Sequence, residues 1–251
     1  MIKYKILFAK RPTMLFVLAA SLALQACKSP ALRQSAASAQ LDKSEKGFVA
    51  IFDGKSTAGW HSYGRSTAGS VWEVVDGALH LNIAGKPASE RGDLVTDEEY
   101  ENYHLKLDWK ISAKGNSGII FNIHENPALY PATYNTGMEM QVLDNERHGD
   151  GKIPKHRTGD LYDLIASSSE PVKPVGEWNL AEIKLEQGKL DYYLNGVHIL
   201  STTLFNKDWE ALVAQSKFRK MPGFGTFRKG KIALQDHDDE VWYRNIRIKG
   251  L

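Results

Sequence analysis

Val74-Val75-Asp76-Gly77-Ala78-Leu79 is the stretch that decides the fold class of this chain. Asp-Gly between two apolar runs is the chemistry of a two-residue hairpin turn, whose central residues both take positive φ. The same signature returns at Leu194-Asn195-Gly196-Val197, and Leu185-Glu186-Gln187-Gly188-Lys189-Leu190 reads as a third hairpin. Outward from these turns, period-two alternation predicts strands over residues 103–111, 118–124, 138–143, 178–185 and 241–248. One helix is predicted over residues 207–217, with Trp209, Leu212 and Val213 on one side. Many short strands with a single short helix imply an all-β chain: a jelly-roll sandwich of two antiparallel sheets.

The strands occupy only part of the chain. Lys3, Lys5, Lys10 and Arg11 precede an apolar run at residues 14–24, which at eleven residues is too short to span a bilayer as a helix. A basic start, a short apolar core and small residues before a cut site are the marks of a secretory signal. Leu24-Gln25-Ala26-Cys27 looks like a bacterial lipobox, which would make Cys27 the lipidated mature N-terminus. Cys27 is the only cysteine in the chain, so no internal disulfide can form. The expected organisation is a signal peptide at 1–26, a lipidated cysteine and flexible tether at 27–46, and one domain at 47–251. The tether is rich in Ala, Ser, Lys and Gln and lacks aromatics, a composition that cannot build a core. The expected address is the cell envelope, lipid-anchored at the outer membrane. The formal charge of +2 becomes −2 once the four basic residues of the leader are removed, so bulk charge gives no reason to expect a nucleic-acid partner.

Candidate chemistry concentrates in residues 114–163, where Asn116, His124, Glu139, Gln141, Asp144, His148, His156, Asp160 and Tyr162 fall within fifty residues. Glu139-Met140-Gln141-Val142-Leu143-Asp144 is its sharpest piece. On a strand, Glu139 and Gln141 share one face about 7 Å apart, while Met140 and Val142 face the core. Glu139 and Gln141 are thus expected on an exposed concave face, where a carboxylate beside an amide suits sugar hydroxyls; the bland reading is a solvated strand face. Laminarinase-type glucanases share this sandwich and set two catalytic glutamates along one strand. Here Gln141 holds the intermediate position and no second glutamate follows on that face, so an ordinary two-carboxylate glycosidase is disfavoured. His124 is expected to share a face with Asn122 and to line the same concavity. Gln235-Asp236-His237-Asp238-Asp239-Glu240 forms a second cluster between two strands, in which His237 reads as a base, a metal ligand or a turn residue. There is no phosphate-binding glycine loop and no His-Glu-x-x-His pair.

Taken in order, these segments resemble the 3-keto-disaccharide hydrolase domain family. Phe52-Asp53-Gly54-Lys55 with Gly59-Trp60 looks like its opening, and Trp72 to Leu79 and Gly115-Asn116-Ser117-Gly118-Ile119 look like its next elements. Residues 138–145, Gly159-Asp160-Leu161-Tyr162-Asp163, Gln235-Asp236-His237 and Tyr243-Arg244-Asn245-Ile246 follow in the family's order. Asp238 stands where a glycine is frequent. The resemblance implies a concanavalin A-like lectin/glucanase sandwich acting on glycosides already oxidised at C3. A C3 ketone acidifies the C2 hydrogen, so a base can remove it and the C1 substituent can leave by β-elimination; water addition then gives net hydrolysis. That route needs one base, one acid and something to hold the enolate. It makes Glu139 and His237 the candidate acid/base pair, with Asn116, His124, Gln141, Asp144, His156, Asp160, Tyr162 and Gln235 as candidate substrate-binding residues. A divalent metal could hold the enolate oxygen, though no ligand set is assigned, and a sugar oxidoreductase is an implied partner. The rival readings are a non-catalytic carbohydrate-binding lipoprotein and an ordinary glycosidase.

Overall fold

The computed structural model describes residues 45–251, so the expected leader, Cys27 and most of the tether lie outside the described residues. In chain order the strands are β1 (Val49–Ala50), β2 (Trp60–Ser62), β3 (Trp72–Val75), β4 (Ala78–Leu81), β5 (Leu94–Thr96), β6 (Tyr103–Ile111), β7 (Asn116–Ile123), β8 (Met138–Leu143), β9 (Asn179–Glu186), β10 (Lys189–Leu194), β11 (Val197–Thr203), β12 (Lys231–Leu234) and β13 (Val241–Gly250). One antiparallel sheet runs β11-β10-β9-β6-β13-β4-β3, with β1 added on β13; the other runs β2-β5-β12-β7-β8. This is the two-sheet sandwich that the hairpin signals predict. All three turns put both central residues at positive φ: Asp76 and Gly77, Gln187 and Gly188, Asn195 and Gly196. That geometry matches the right-handed strand twist and explains the glycine in each turn.

The core lies between the sheets. Leu105, Leu107, Trp109 and Ile111 of β6 meet Ile119 and Phe121 of β7 and Met138, Met140 and Val142 of β8 in one buried cluster. The alternation in β8 therefore does send Met140 and Val142 inward. The opposite face of the five-stranded sheet then carries Asp93 just before β5, Gln235 just after β12, Gly118 on β7, and Glu139 and Gln141 on β8. Register places Leu94 against Leu234, Ile119 against Leu234 and Gly118 against Gln141, which brings these side chains into neighbouring rows.

The chain departs from its local sequence pattern at two places. The helix is shorter than predicted: α1 covers Lys207–Ala214, and a separate 3₁₀ turn at Lys217–Lys220 restarts the chain. Ser216 causes the break, because its hydroxyl accepts from the Phe218 N–H and caps the new turn. The second concerns His124. Asn122 has φ of 56° and sits in a bulge where the β7–β12 register shifts. The extra residue breaks the alternation that would have put His124 on the face of Glu139. His124 instead stacks on Phe227, with ring centroids 4.3 Å apart.

Candidate active site

Glu139 and Gln141 are almost fully buried, not exposed on an open concave face. Three segments cover them. Gly159 to Tyr162 runs along the free edge of β8, with the Gly159 N–H donating to the Gln141 carbonyl, the Gln141 N–H to the Asp160 carbonyl and the Tyr162 N–H to the Glu139 carbonyl. This docked edge delivers the Tyr162 ring beside Glu139. The 3₁₀ turn Thr133–Asn135 brings Tyr134, and the turn Lys217–Lys220 brings Lys217 and Phe218. Together they enclose a cavity of about 310 Å³ whose polar floor is Asn116, Glu139, Gln141, Gln235 and His237. Tyr134, Tyr162, Phe218, Met221 and Lys217 form the rest of the lining.

The floor is unusually unsatisfied. Among the described residues the Glu139 carboxyl makes no hydrogen bond, and Gln141 Oε1 and Gln235 Oε1 are buried without a partner. Such acceptors cost roughly 1–3 kcal/mol each when left unpaired, so a donor-rich ligand is their natural complement. Burial, reinforced by the negative charges of Asp93 and Asp150 and opposed by Lys217, pushes the Glu139 pKa up to about 8. Space for this carboxyl exists because residue 118 is glycine: a Cβ there would lie 2.0 Å from Glu139 Oε1.

A chain of amides orients His237. Gln141 Nε2 donates to Asn116 Oδ1, and Asn116 Nδ2 donates to His237 Nε2, each at 3.4 Å. An amide N–H can only donate, so Nε2 of His237 presents its lone pair in this arrangement. The flanking acids of the second cluster serve as anchors. Arg91 holds Asp236 through two hydrogen bonds, at 2.7 and 2.5 Å, and Asp238 at 2.6 Å. Burial would raise the Asp236 pKa, but Arg91 and the Gly92 N–H hold it below the usual carboxylate range. Asp239 accepts from the Asn116 backbone N–H. Asp238 has φ of 73°, the left-handed conformation that a glycine adopts freely. The departure at this position therefore retains the glycine-like backbone, and the Asp238 carboxylate gains Arg91 as its partner.

The remaining predicted residues lie outside the cavity lining. The Asp144 carboxylate accepts the backbone N–H groups of Lys114, Glu146 and Arg147, holding the turn after β8. Asp160 accepts those of Arg157 and Ser167. His156 stands behind Tyr162, ring centroids 4.4 Å apart, with Nε2 at 3.2 Å from Asp163. For the divalent metal that the elimination route leaves open, there is no cluster of three His, Cys, Asp or Glu side chains among the described residues, and the cavity floor offers one carboxylate and one imidazole.

Three residues at this site carried no signal in the sequence. Asp93 accepts from the Thr133 hydroxyl and, at 2.8 Å, from the Asp236 N–H, tying the Tyr134 wall to the His237 loop. Burial pushes its pKa up to about 6. Tyr134 itself lines the cavity from the 3₁₀ turn. Lys217 holds its ammonium 3.8 Å from the centre of the Tyr162 ring and makes no ion pair among the described residues. Two larger hollows, of about 450 and 470 Å³, carry neither Glu139 nor His237.

The sequence and the fold both match known proteins. A family profile described as a 3-keto-alpha-glucoside-1,2-lyase-like domain matches residues 47–249. A Bacteroides thetaiotaomicron protein named 3-keto-disaccharide hydrolase is 37% identical over 238 residues, covering 85% of this chain and 82% of the relative. The crystal structure of a candidate glycosyl hydrolase from Parabacteroides distasonis superposes with a TM-score of 0.75 at 31% identity, over 82% of this chain and 94% of that one. A Bacillus subtilis protein of galectin-like fold, at a TM-score of 0.50 and 15% identity over 76% of this chain and 88% of that one, shares the fold alone.

Proposed function

Because the chain belongs to the 3-keto-alpha-glucoside-1,2-lyase-like domain family, which supports a carbohydrate hydrolase, we propose that it cleaves glycosides already oxidised at C3, by elimination followed by hydration. The observation that carries this reading is the cavity floor: unpartnered buried acceptors for sugar hydroxyls beside a single carboxyl and a single imidazole. A two-carboxylate glycosidase needs a second carboxyl across the scissile bond, and Glu139 is the only one lining this cavity among the described residues. Elimination needs no such pair.

His237 is the base. As the sugar displaces the Asn116 amide from the Nε2 lone pair, that lone pair takes the proton from C2, which the neighbouring C3 ketone has acidified. The C2–H electron pair moves into a C2–C3 enolate. As that enolate collapses, the C1–O bond breaks and its electron pair leaves with the glycosidic oxygen. Glu139, protonated at neutral pH because burial raises its pKa to about 8, gives that oxygen its proton. Water then adds across C1 and C2 of the enone, and the products are a free 3-keto sugar and the released alcohol. Gln141 Oε1 and Gln235 Oε1 accept from sugar hydroxyls in the bound state, and Tyr162 and Phe218 supply apolar surface for the ring. No step is routed through a metal.

The same reading includes a lipid anchor at Cys27 and an address in the cell envelope, at the outer membrane, where a sugar oxidoreductase would supply the substrate. Glu45, the first described residue, pairs with Lys106 and Arg247 on the outer face of the larger sheet. The first described residue therefore lies on the side of the domain away from the cavity, which suits an anchored enzyme whose site stays open to glycans.

The test incubates the purified protein with a 3-keto glycoside and with its unoxidised parent. Cleavage of the oxidised sugar alone is expected. Cleavage of both indicates an ordinary glycosidase, and binding of both without cleavage indicates a carbohydrate-binding protein.

A further inference from the structure

We propose that Lys217 is a catalytic residue whose ammonium holds the C3 oxygen as the enolate forms, an assignment that rests on the elimination reading above. Loss of the C2 proton leaves a full negative charge shared between C2 and the C3 oxygen. The cavity must meet that charge with a donor, and the residues assigned so far do not. His237 is protonated by the same step but stands at C2, and Glu139 is committed to the leaving oxygen. Among the lining residues Lys217 alone carries a fixed positive charge.

The surroundings of Lys217 keep that charge available. Three carboxyl groups act on it electrostatically, Asp163, Glu139 and Asp150, yet none forms an ion pair with it. The ammonium rests over the face of Tyr162 at 3.8 Å, a contact that positions a cation without neutralising it. Its backbone is held as well: the Lys217 N–H donates to Asp163 Oδ2 at 3.2 Å, and the Asp163 carboxylate also meets His156. Asp163 has φ of 63°, a bend that ends the docked 159–162 edge and turns its carboxylate to the 3₁₀ turn. Tyr162, which the edge positions, and Lys217, which the turn positions, are thus locked to one another. Partial burial also draws the Lys217 pKa down from the usual lysine value, against the pull of the three carboxyl groups.

The experiment compares wild type with Lys217→Met and Lys217→Arg on two 3-keto glucosides, one with an alkyl and one with a 4-nitrophenyl leaving group. Lys217 is exposed overall, so both variants should fold, and unchanged melting temperatures check this. Lys217→Met should lower kcat roughly 100-fold on both substrates, with KM little changed, and should slow solvent-deuterium exchange at C2 to the same degree. Lys217→Arg, which restores a cation, should recover part of the loss. Recovery of Lys217→Met on the 4-nitrophenyl substrate, whose leaving group needs no proton, would overturn the assignment by making Lys217 the acid for the leaving oxygen. Undiminished activity of Lys217→Met beside an active wild type would overturn it outright. A wild type that leaves both 3-keto substrates intact sinks the elimination reading itself, and the assignment with it.

Discussion

Two groups of ionisable side chains share the outer face of the five-stranded sheet, and they are built in opposite ways. At the β2 end, His61 is held between Asp97 at 2.5 Å and Glu125 at 2.9 Å, while Lys231 meets Glu125 at 2.8 Å and the Gly64 N–H donates to the same carboxylate. Every charge there has a partner, and although burial alone would raise it, these partners draw the Glu125 pKa down. At the β8 end, among the described residues, Glu139 has no side-chain partner, two glutamine oxygens are unpaired, and Lys217 makes no ion pair. A satisfied network holds strands together. A set of buried groups left unsatisfied destabilises the free protein and persists where a ligand completes it. The second arrangement, and not the number of charges, marks the site.

The contrast can be broken most severely at Glu139. Glu139→Gln should lower kcat/KM on a 3-keto glycoside roughly 1,000-fold, as removal of a general acid does. The same change should stabilise the protein at high pH. Glu139 is protonated up to about pH 8 when folded but only up to the ordinary carboxyl range when unfolded. The folded state thus binds the extra proton between those values, and wild-type stability falls as pH rises through that window. Melting curves should therefore show Glu139→Gln above wild type at pH 9, by on the order of 2 kcal/mol, with the gap closing near pH 4. Wild-type kcat/KM should fall as pH rises through about 8, when the acid loses its proton.

Gly118→Ala is the next largest effect. The new methyl meets the Glu139 carboxyl, a flexible end that can swing aside, so the fold should survive while the acid is misplaced. About 100-fold loss of kcat with little change in melting temperature is expected. At the satisfied end the result should invert: His61→Ala should cost about 2 kcal/mol in a denaturant titration and leave kcat/KM within about twofold. Asp238→Gly should do least. It relieves a left-handed residue and gives up the exposed Arg91 pair, so the two effects nearly cancel, within about 0.5 kcal/mol, on either readout.

The sequence is most legible where a few neighbouring residues dictate the conformation. Asp76-Gly77, Gln187-Gly188 and Asn195-Gly196 each form the turn their chemistry requires, and the alternation over β6 and β8 matches the strands residue for residue. Glu139, Gln141, Asn116, Gln235, His237 and Tyr162 could be nominated from local pattern and family order, and the fold gathers them in one cavity. What escaped depends on distant contacts. Asp93 matters because the sheet register sets it beside the Gln235–His237 loop. Lys217 looked like the last residue of a helix, and only the restart at Ser216 carries it over Tyr162. His124 leaves the face that alternation assigns it because of a single bulge residue, Asn122, which alternation alone cannot reveal. Asp144 and Asp160 are buried acids, as a site residue would be, but their carboxylates are occupied by backbone N–H groups. Whether a buried carboxylate is already occupied is a property of the folded neighbourhood.

In the proposed elimination the C2 proton is removed before water replaces the leaving group at C1, and deuterium reports on that order. The protein is incubated in D₂O with a 3-keto glycoside, and the released 3-keto sugar is examined at early times against an enzyme-free blank. Deuterium at C2 of the product, above the blank, is the predicted result, because the proton held on the His237 imidazolium exchanges with solvent before hydration of the enone returns a hydrogen to C2. Product that retains its original hydrogen at C2 would contradict the account, since it would mean that water replaced the leaving group at C1 directly.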